Sequence, residues 1–198
     1  MKKKNLWEEK INLTGLETET CWFMPHTTPQ MIHYVKELGF NAVRLPVTWA
    51  GHLDENNVVD SKWMARVKEI ADYVLKEDMY CIINVHHDAG GNGWVRACES
   101  SFNQYSTRLR AIYTQLANTF ADYGEKLLFS GINEILDENH LGPTLLHKHH
   151  FGATNGINFL LMLFEQLVVK TKKEILLLWD QQEKAVKLQW NSLICLQT

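Results

Sequence analysis

Three short apolar runs, separated by helical patterns and ending in polar groups, limit what this chain can fold into. The runs are Asn41–Val47, Met79–Val85 and Leu127–Ile132. The second is nearly continuous in apolar residues, as expected of a strand buried on both faces. Before the first run, Thr28-Pro29-Gln30 gives a helix cap followed by proline in the first turn. Met31, Ile32, Val35 and Leu38 then recur at helical spacing, and Gly39 ends the helix. Asp60-Ser61 caps a second helix with Trp63, Val67, Ile70, Ala71 and Val74 on one face. A third is expected over roughly 102–123, carrying Leu109, Ile112, Tyr113, Leu116 and Phe120. Strand, helix, strand, helix, strand predicts right-handed parallel crossovers. The chemistry-bearing residues gather toward the carboxyl ends of those strands: Arg44, His86-His87-Asp88 and Asn133-Glu134. Parallel α/β folds build their sites there, and packing alone does not ask for that coincidence three times.

At 198 residues the expectation is one domain with a real core. A net charge of −3 argues against holding nucleic acid by bulk charge, and no apolar run reaches the length of a membrane span. Met1-Lys2-Lys3-Lys4 is basic, but Leu6-Trp7-Glu8-Glu9-Lys10 follows where a signal peptide needs an apolar stretch, so none is expected. Cys21, Cys81, Cys98 and Cys195 are too widely spaced for a cysteine zinc site, and Cys81 reads as a small core residue. Beyond the third strand, 137–156 is polar and holds His140, His147, His149 and His150. A helical pattern from Ile157 and the apolar run Ile175–Trp179 follow; 180–198 has no clear pattern.

Glu134, a carboxyl at a strand end beside an amide, suits general-acid work on a glycosidic oxygen; its bland reading is a solvated loop carboxylate. Arg44, within a strand, is expected on a buried side with a carboxylate partner, either as a floor ion pair or as the holder of a catalytic glutamate. Adjacent His86 and His87 are poor metal ligands as a pair, because strand neighbours point to opposite sides and only one can face a given pocket. A metal site would need the loop histidines, and no ligand spacing singles them out. Trp63 fits a helix core face. Trp49 and Trp94 follow strands and are open to stacking on a sugar ring or to lidding the core.

Five segments together resemble glycoside hydrolase family 5, in its endoglucanase (cellulase) branch. They are Glu19-Thr20-Cys21-Trp22, Thr27–Ile32, Gly39–Trp49, Ile82–Asp88 and Gly131–Glu134, and the resemblance covers about 16–159. It implies a partial (β/α)8 barrel, α/β in class, made of roughly the first four to five β/α units. It implies retaining hydrolysis of β-1,4-glucan, whether cellulose, mixed-linkage glucan or xyloglucan. Glu134 would be the acid/base and Asn133 would bind the 2-hydroxyl. Arg44 would hold the nucleophile, His86 and His87 would line the same subsite, and Trp49 would sit near the cleft. No metal or cofactor is implied, and members are commonly secreted.

The sequence departs from the family in four ways. Ile135 stands where proline usually follows the acid/base, and the first strand's Gly/Asn-rich segment is poorly formed in Trp7–Leu16. The length is short of the about 250 residues of a typical barrel. No segment matches the late strands with their His, Tyr, Trp and nucleophile glutamate. The tail suggests a reason. Read from the third base of each codon, Phe164–Glu165 gives only Arg or stop, Trp179–Asp180 only Gly and Trp190–Asn191 only Glu. A stop-free path through 161–198 then resembles the family's next helix, a Gly-Gly turn and its fifth strand. The expected organisation is therefore barrel over 1–160 and a frame-shifted tail over 161–198. The chain alone should be weak or inactive, with its uncovered barrel edges open to self-association. The rival readings are a non-catalytic β-glucan binder using Trp49 and Trp94, and a histidine-based metal hydrolase.

Overall fold

The computed structural model describes residues 13–89, 93–133 and 135–136, and the backbone of three strands between 175 and 197. Glu134, the 137–156 segment with its four histidines and the helix expected from Ile157 lie outside the described residues. The elements run from a short 3-10 helix, Leu16–Thr20, to α1 (Pro29–Glu37), β1 (Ala42–Val47), α2 (Ser61–Lys76), β2 (Tyr80–Val85), α3 (Glu99–Thr119) and β3 (Leu127–Ile132). β1, β2 and β3 form one parallel sheet in that order. The alternation read from the sequence thus takes the expected parallel form.

The helix starts follow from their caps. Thr28 accepts from the Met31 N–H at 3.3 Å, with Pro29 in the first turn of α1, and Asp60 accepts from the Lys62 N–H at 2.8 Å to open α2. Gly39, at φ 90°, takes the left-handed turn after α1 and donates to the Lys36 carbonyl at 2.9 Å. α3 starts three residues earlier than its apolar spacing suggested and stops at Thr119. Its cap is Cys98, whose side chain makes no capping bond, so nothing in the sequence marked that start.

The core lies between the sheet and the helices. α2 buries Trp63, Met64, Val67, Ile70, Ala71 and Val74, and α3 buries Leu109, Ile112, Tyr113 and Leu116, against Cys81, Ile83, Val85, Leu127 and Phe129. Each large apolar side chain so buried contributes roughly 1.5–3 kcal/mol. Cys81 is core, as expected, and burial pushes its thiol up to about 12. Trp63 is core too. Its Nε1 donates to the Thr48 carbonyl at 3.1 Å and its ring stacks on His52 at 3.9 Å. His52 is buried with neither ring nitrogen hydrogen-bonded, and burial lowers its pKa. Protonation must therefore oppose the fold. The unfolded chain takes up the proton first, so this residue costs stability as pH falls through about 6.5.

The patternless stretch 180–198 is where expectation and structure differ most. Three antiparallel strands, β4 (Ile175–Trp179), β5 (Lys184–Gln189) and β6 (Ser192–Gln197), form a second sheet there, and β4 lies beside β3. β5 and β6 pair antiparallel with Gln189 opposite Ser192.

Phe23 combines a positive φ of 63° with 89% exposure. An L-residue held there costs roughly 1–2 kcal/mol. Phe23→Gly is expected to raise stability by about 1 kcal/mol, read as a higher urea midpoint at unchanged slope.

Candidate functional site

The site residues gather at the carboxyl end of the parallel sheet because the ladder runs past the strands. The His86 N–H donates to the Val47 carbonyl at 2.8 Å and the Asn133 N–H to the Val85 carbonyl at 2.9 Å. Between β2 and β3 the register shifts: Asn84 pairs with Ser130, but Val85 pairs with Ile132. Gly131 is the extra residue. A bulge of one residue exchanges the faces of everything after it. Leu128 and Ser130 share the face of Ile82 and Asn84. After the bulge that face passes to Asn133.

Arg44, two strands away on β1, reaches across. Its Nη2 donates to Asn133 Oδ1 at 2.7 Å. The sequence led us to expect a buried Arg44 with a carboxylate partner, and the structure corrects this. Arg44 is exposed and makes no ion pair among the described residues. β1 pairs with β2 alone among the described strands. With Oδ1 committed to the guanidinium, the Asn133 amide nitrogen is oriented to donate.

His86 and His87 also depart from expectation. Both line one cavity of about 390 Å³, together with Trp22 and Thr48. β2 ends at Val85, so strand alternation no longer separates the two rings. They meet edge to face at 4.6 Å, and Trp22 lies 5.3 Å from His87. The rings of Trp22, His87 and His86 thus form a row from the amino-terminal loop toward the strand ends. The Asn84 amide nitrogen and His86 Nδ1 are 3.3 Å apart. The role of Trp22 was not drawn from the sequence, although its motif was; nothing local says that the loop folds over the strand ends.

That loop is held by charge. Glu19 accepts from Arg66 Nε and Nη2, both at 2.9 Å, and from the Thr27 N–H at 2.7 Å; Arg66 Nη2 also donates to the Thr27 carbonyl at 2.7 Å. Burial acts to raise the Glu19 pKa, but Arg66, Thr27 and His26 outweigh it and bring the carboxyl down to about 2. Its folded pKa lies below the unfolded value. The stabilisation is therefore complete above about 4.5 and is lost as pH falls toward 2. Glu19→Gln is expected to remove that acid-side loss, measured by urea unfolding at pH 3 and pH 6.

Trp49, a candidate sugar platform, is corrected to a core residue: it is 0% exposed and offers no face to a ligand. Asp88 explains why. Its carboxylate, wholly buried, accepts from the Trp49 N–H at 2.8 Å, the Ala50 N–H at 2.7 Å and Trp94 Nε1 at 2.7 Å. It is a clasp that binds the chain after β1 to the chain after β2. Gly93 packs so closely on this turn that a Cβ would lie 2.3 Å from the Asp88 carbonyl oxygen. Trp94 is thereby tied down, with its ring against Tyr105 and the Arg108 guanidinium. Among the described residues no cluster of His, Cys, Asp and Glu has the form of a metal site.

The sequence model of the family described as Cellulase (glycosyl hydrolase family 5) matches residues 5–157. The chain belongs to glycosyl hydrolase family 5. Endoglucanase B of Clostridium cellulovorans is 42% identical over 130 residues, 65% of this chain and 29% of that protein. A GH5-4 broad specificity endoglucanase from an uncultured bacterium is 38% identical with a TM-score of 0.70, covering 81% of this chain and 46% of that one. A family 5 enzyme from Prevotella bryantii B14 is 32% identical with a TM-score of 0.76, covering 84% of this chain and 51% of that one. This family 5 chain thus spans less than a third of that curated relative and about half of the two solved chains. Its parallel sheet is part of a (β/α)8 barrel, and the resemblance read from five motifs holds.

Proposed function

We propose that this chain carries the acid/base side of a retaining endo-β-1,4-glucanase site. The bond from Arg44 to Asn133, immediately before Glu134, carries the reading. It fixes an amide donor for a sugar hydroxyl beside the carboxyl that would protonate the glycosidic oxygen. His86 and His87 line the approach, and Trp22 extends it. Related structures support a glucan as the ligand: the E280A mutant of the Prevotella bryantii enzyme was solved with a xyloglucan tetradecasaccharide, and a Ruminococcus champanellensis endoglucanase with cellotriose. Retention needs a second carboxylate about 5 Å from the first. No motif in the sequence supplies it, so the chain alone is proposed to be weak or inactive. We also propose that 161–198 is read out of the family's frame. Sequencing the locus across codons 155–198 and several hundred bases beyond checks this, and an intact frame with no late glutamate refutes it.

The row of Trp22, His87 and His86 favours a second reading, a β-glucan-binding remnant without catalysis. Electrophoresis through gels containing xyloglucan or mixed-linkage glucan, with a reducing-sugar assay alongside, tests both. Retardation with at most slow hydrolysis is expected. Failure to bind either glucan refutes both readings, and hydrolysis abolished by a chelator and restored by zinc would favour the metal hydrolase.

A further inference from the structure

We infer that Asn84 is a positioning residue: its side-chain amide holds the proton of His86 on Nε2 and makes that ring a hydrogen-bond donor in the candidate site. Asn84 lies on β2, opposite Pro46 of β1 and Ser130 of β3, and is 1% exposed. A buried amide kept for the fold alone normally bonds at both ends. This one does not: among the described residues its Oδ1 accepts no hydrogen bond. Its contacts run through Nδ2, which lies 3.4 Å from the Val85 carbonyl oxygen and 3.3 Å from His86 Nδ1.

Those two contacts fix the protons. A carbonyl oxygen only accepts, so the end of the amide that faces Val85 is the nitrogen. Turning the amide over would set two acceptor oxygens against each other. An amide nitrogen only donates, so it donates toward His86 as well. His86 Nδ1 is then the accepting nitrogen, and a neutral imidazole carries its one proton on the other. The main chain keeps the ring beside the amide. The His86 N–H donates to the Val47 carbonyl at 2.8 Å, which continues the ladder by one step, and residues i and i+2 share a face.

What the ring can do follows from the tautomer. From Nε2 it donates and does not accept. His86 lines the cavity assigned above to a glucan. A fixed donor there selects oxygens that can only accept, such as the ring and glycosidic oxygens of a pyranoside or a carboxylate. This consequence rests on the glucan reading, whereas the tautomer rests on the contacts of Asn84 alone.

The test is nitrogen NMR of the full chain with isotope-labelled histidine, at about pH 9, above the usual imidazole range. The signals missing from His86→Gln assign the ring. Unprotonated Nδ1 and protonated Nε2 are expected in the parent. Asn84→Asp keeps the shape but replaces the donor with a carboxylate. It should move the proton to Nδ1 and weaken retardation in a xyloglucan gel about tenfold in the same buffer. If that variant is insoluble, Asn84→Ala serves, with a mixture of both tautomers expected. A protonated Nδ1 in the parent overturns the inference. So does a variant that keeps the parent's tautomer, or one that binds as well as the parent with its proton moved. A parent with the expected tautomer that binds no glucan leaves the role of Asn84 standing and counts against the glucan reading.

Discussion

With the reading frame restored so that the chain continues into a full barrel, Glu134→Gln is expected to lower kcat/KM on β-glucan by about 10²–10⁴-fold. Gln keeps the shape of the acid and its hydrogen-bonding reach but cannot deliver a proton to the departing oxygen. The loss should shrink for aryl glycosides whose leaving groups need no proton, because the carboxyl's contribution there is small. Binding should persist: retardation in a xyloglucan gel is expected to match the parent protein, since Arg44, Asn133, His86 and His87 are untouched. Full hydrolysis by the variant would remove Glu134 from the mechanism.

The second large effect concerns stability. Asp88→Ala is expected to cost about 3–9 kcal/mol, because it leaves two buried main-chain donors and the part-buried Trp94 indole, each worth about 1–3 kcal/mol, without an acceptor. A domain has roughly 5–15 kcal/mol in total, so the variant should be insoluble or lose its cooperative urea transition. The charge state gives a finer prediction. Burial pushes the Asp88 carboxyl up to about 6, even though three donors pull it down. Its folded pKa lies above the unfolded value near 3.8, so the folded chain binds the extra proton between those limits. Stability from this group therefore falls as pH rises from about 4 to 6, by about 3 kcal/mol. Asp88→Asn should abolish that fall while retaining one acceptor oxygen. Urea midpoints at pH 4 and pH 6 check it, and an undiminished pH slope in the variant would refute it.

The contrast between Glu134 and Asp88 marks what the sequence discloses. Both are carboxyls at strand ends, and both stand in conspicuous motifs. Helix caps such as Thr28 and Asp60, and strands such as Met79–Val85, are local events, and their signals were legible. The clustering of Arg44, His86 and Asn133 at one end of the sheet was legible too, because parallel topology dictates it. Partners were not. Arg44 was assigned a carboxylate and took an amide, and Trp49, left open between a sugar ring and the core by its residues and placed near the cleft by the family resemblance, lies in the core. Asp88, read only as part of the polar cluster after the second strand, holds main-chain donors nearly forty residues upstream in sequence. Each miss turns on contacts between distant segments, which no spacing encodes. The hairpin of β5 and β6 is the same case, since its register depends on pairing rather than on a strong pattern in either strand.

The extra residue at Gly131 makes the facing of Ile132 and Asn133 depend on the bulge itself. Straightening the strand at unchanged length would turn Ile132 into the barrel interior and send Asn133 toward the helices. Deleting Gly131 would remove the bulge and its step together, so both residues would keep their faces. Side chains along β3 can therefore drift among relatives, whereas position 131 must either keep the bulge or be lost with it.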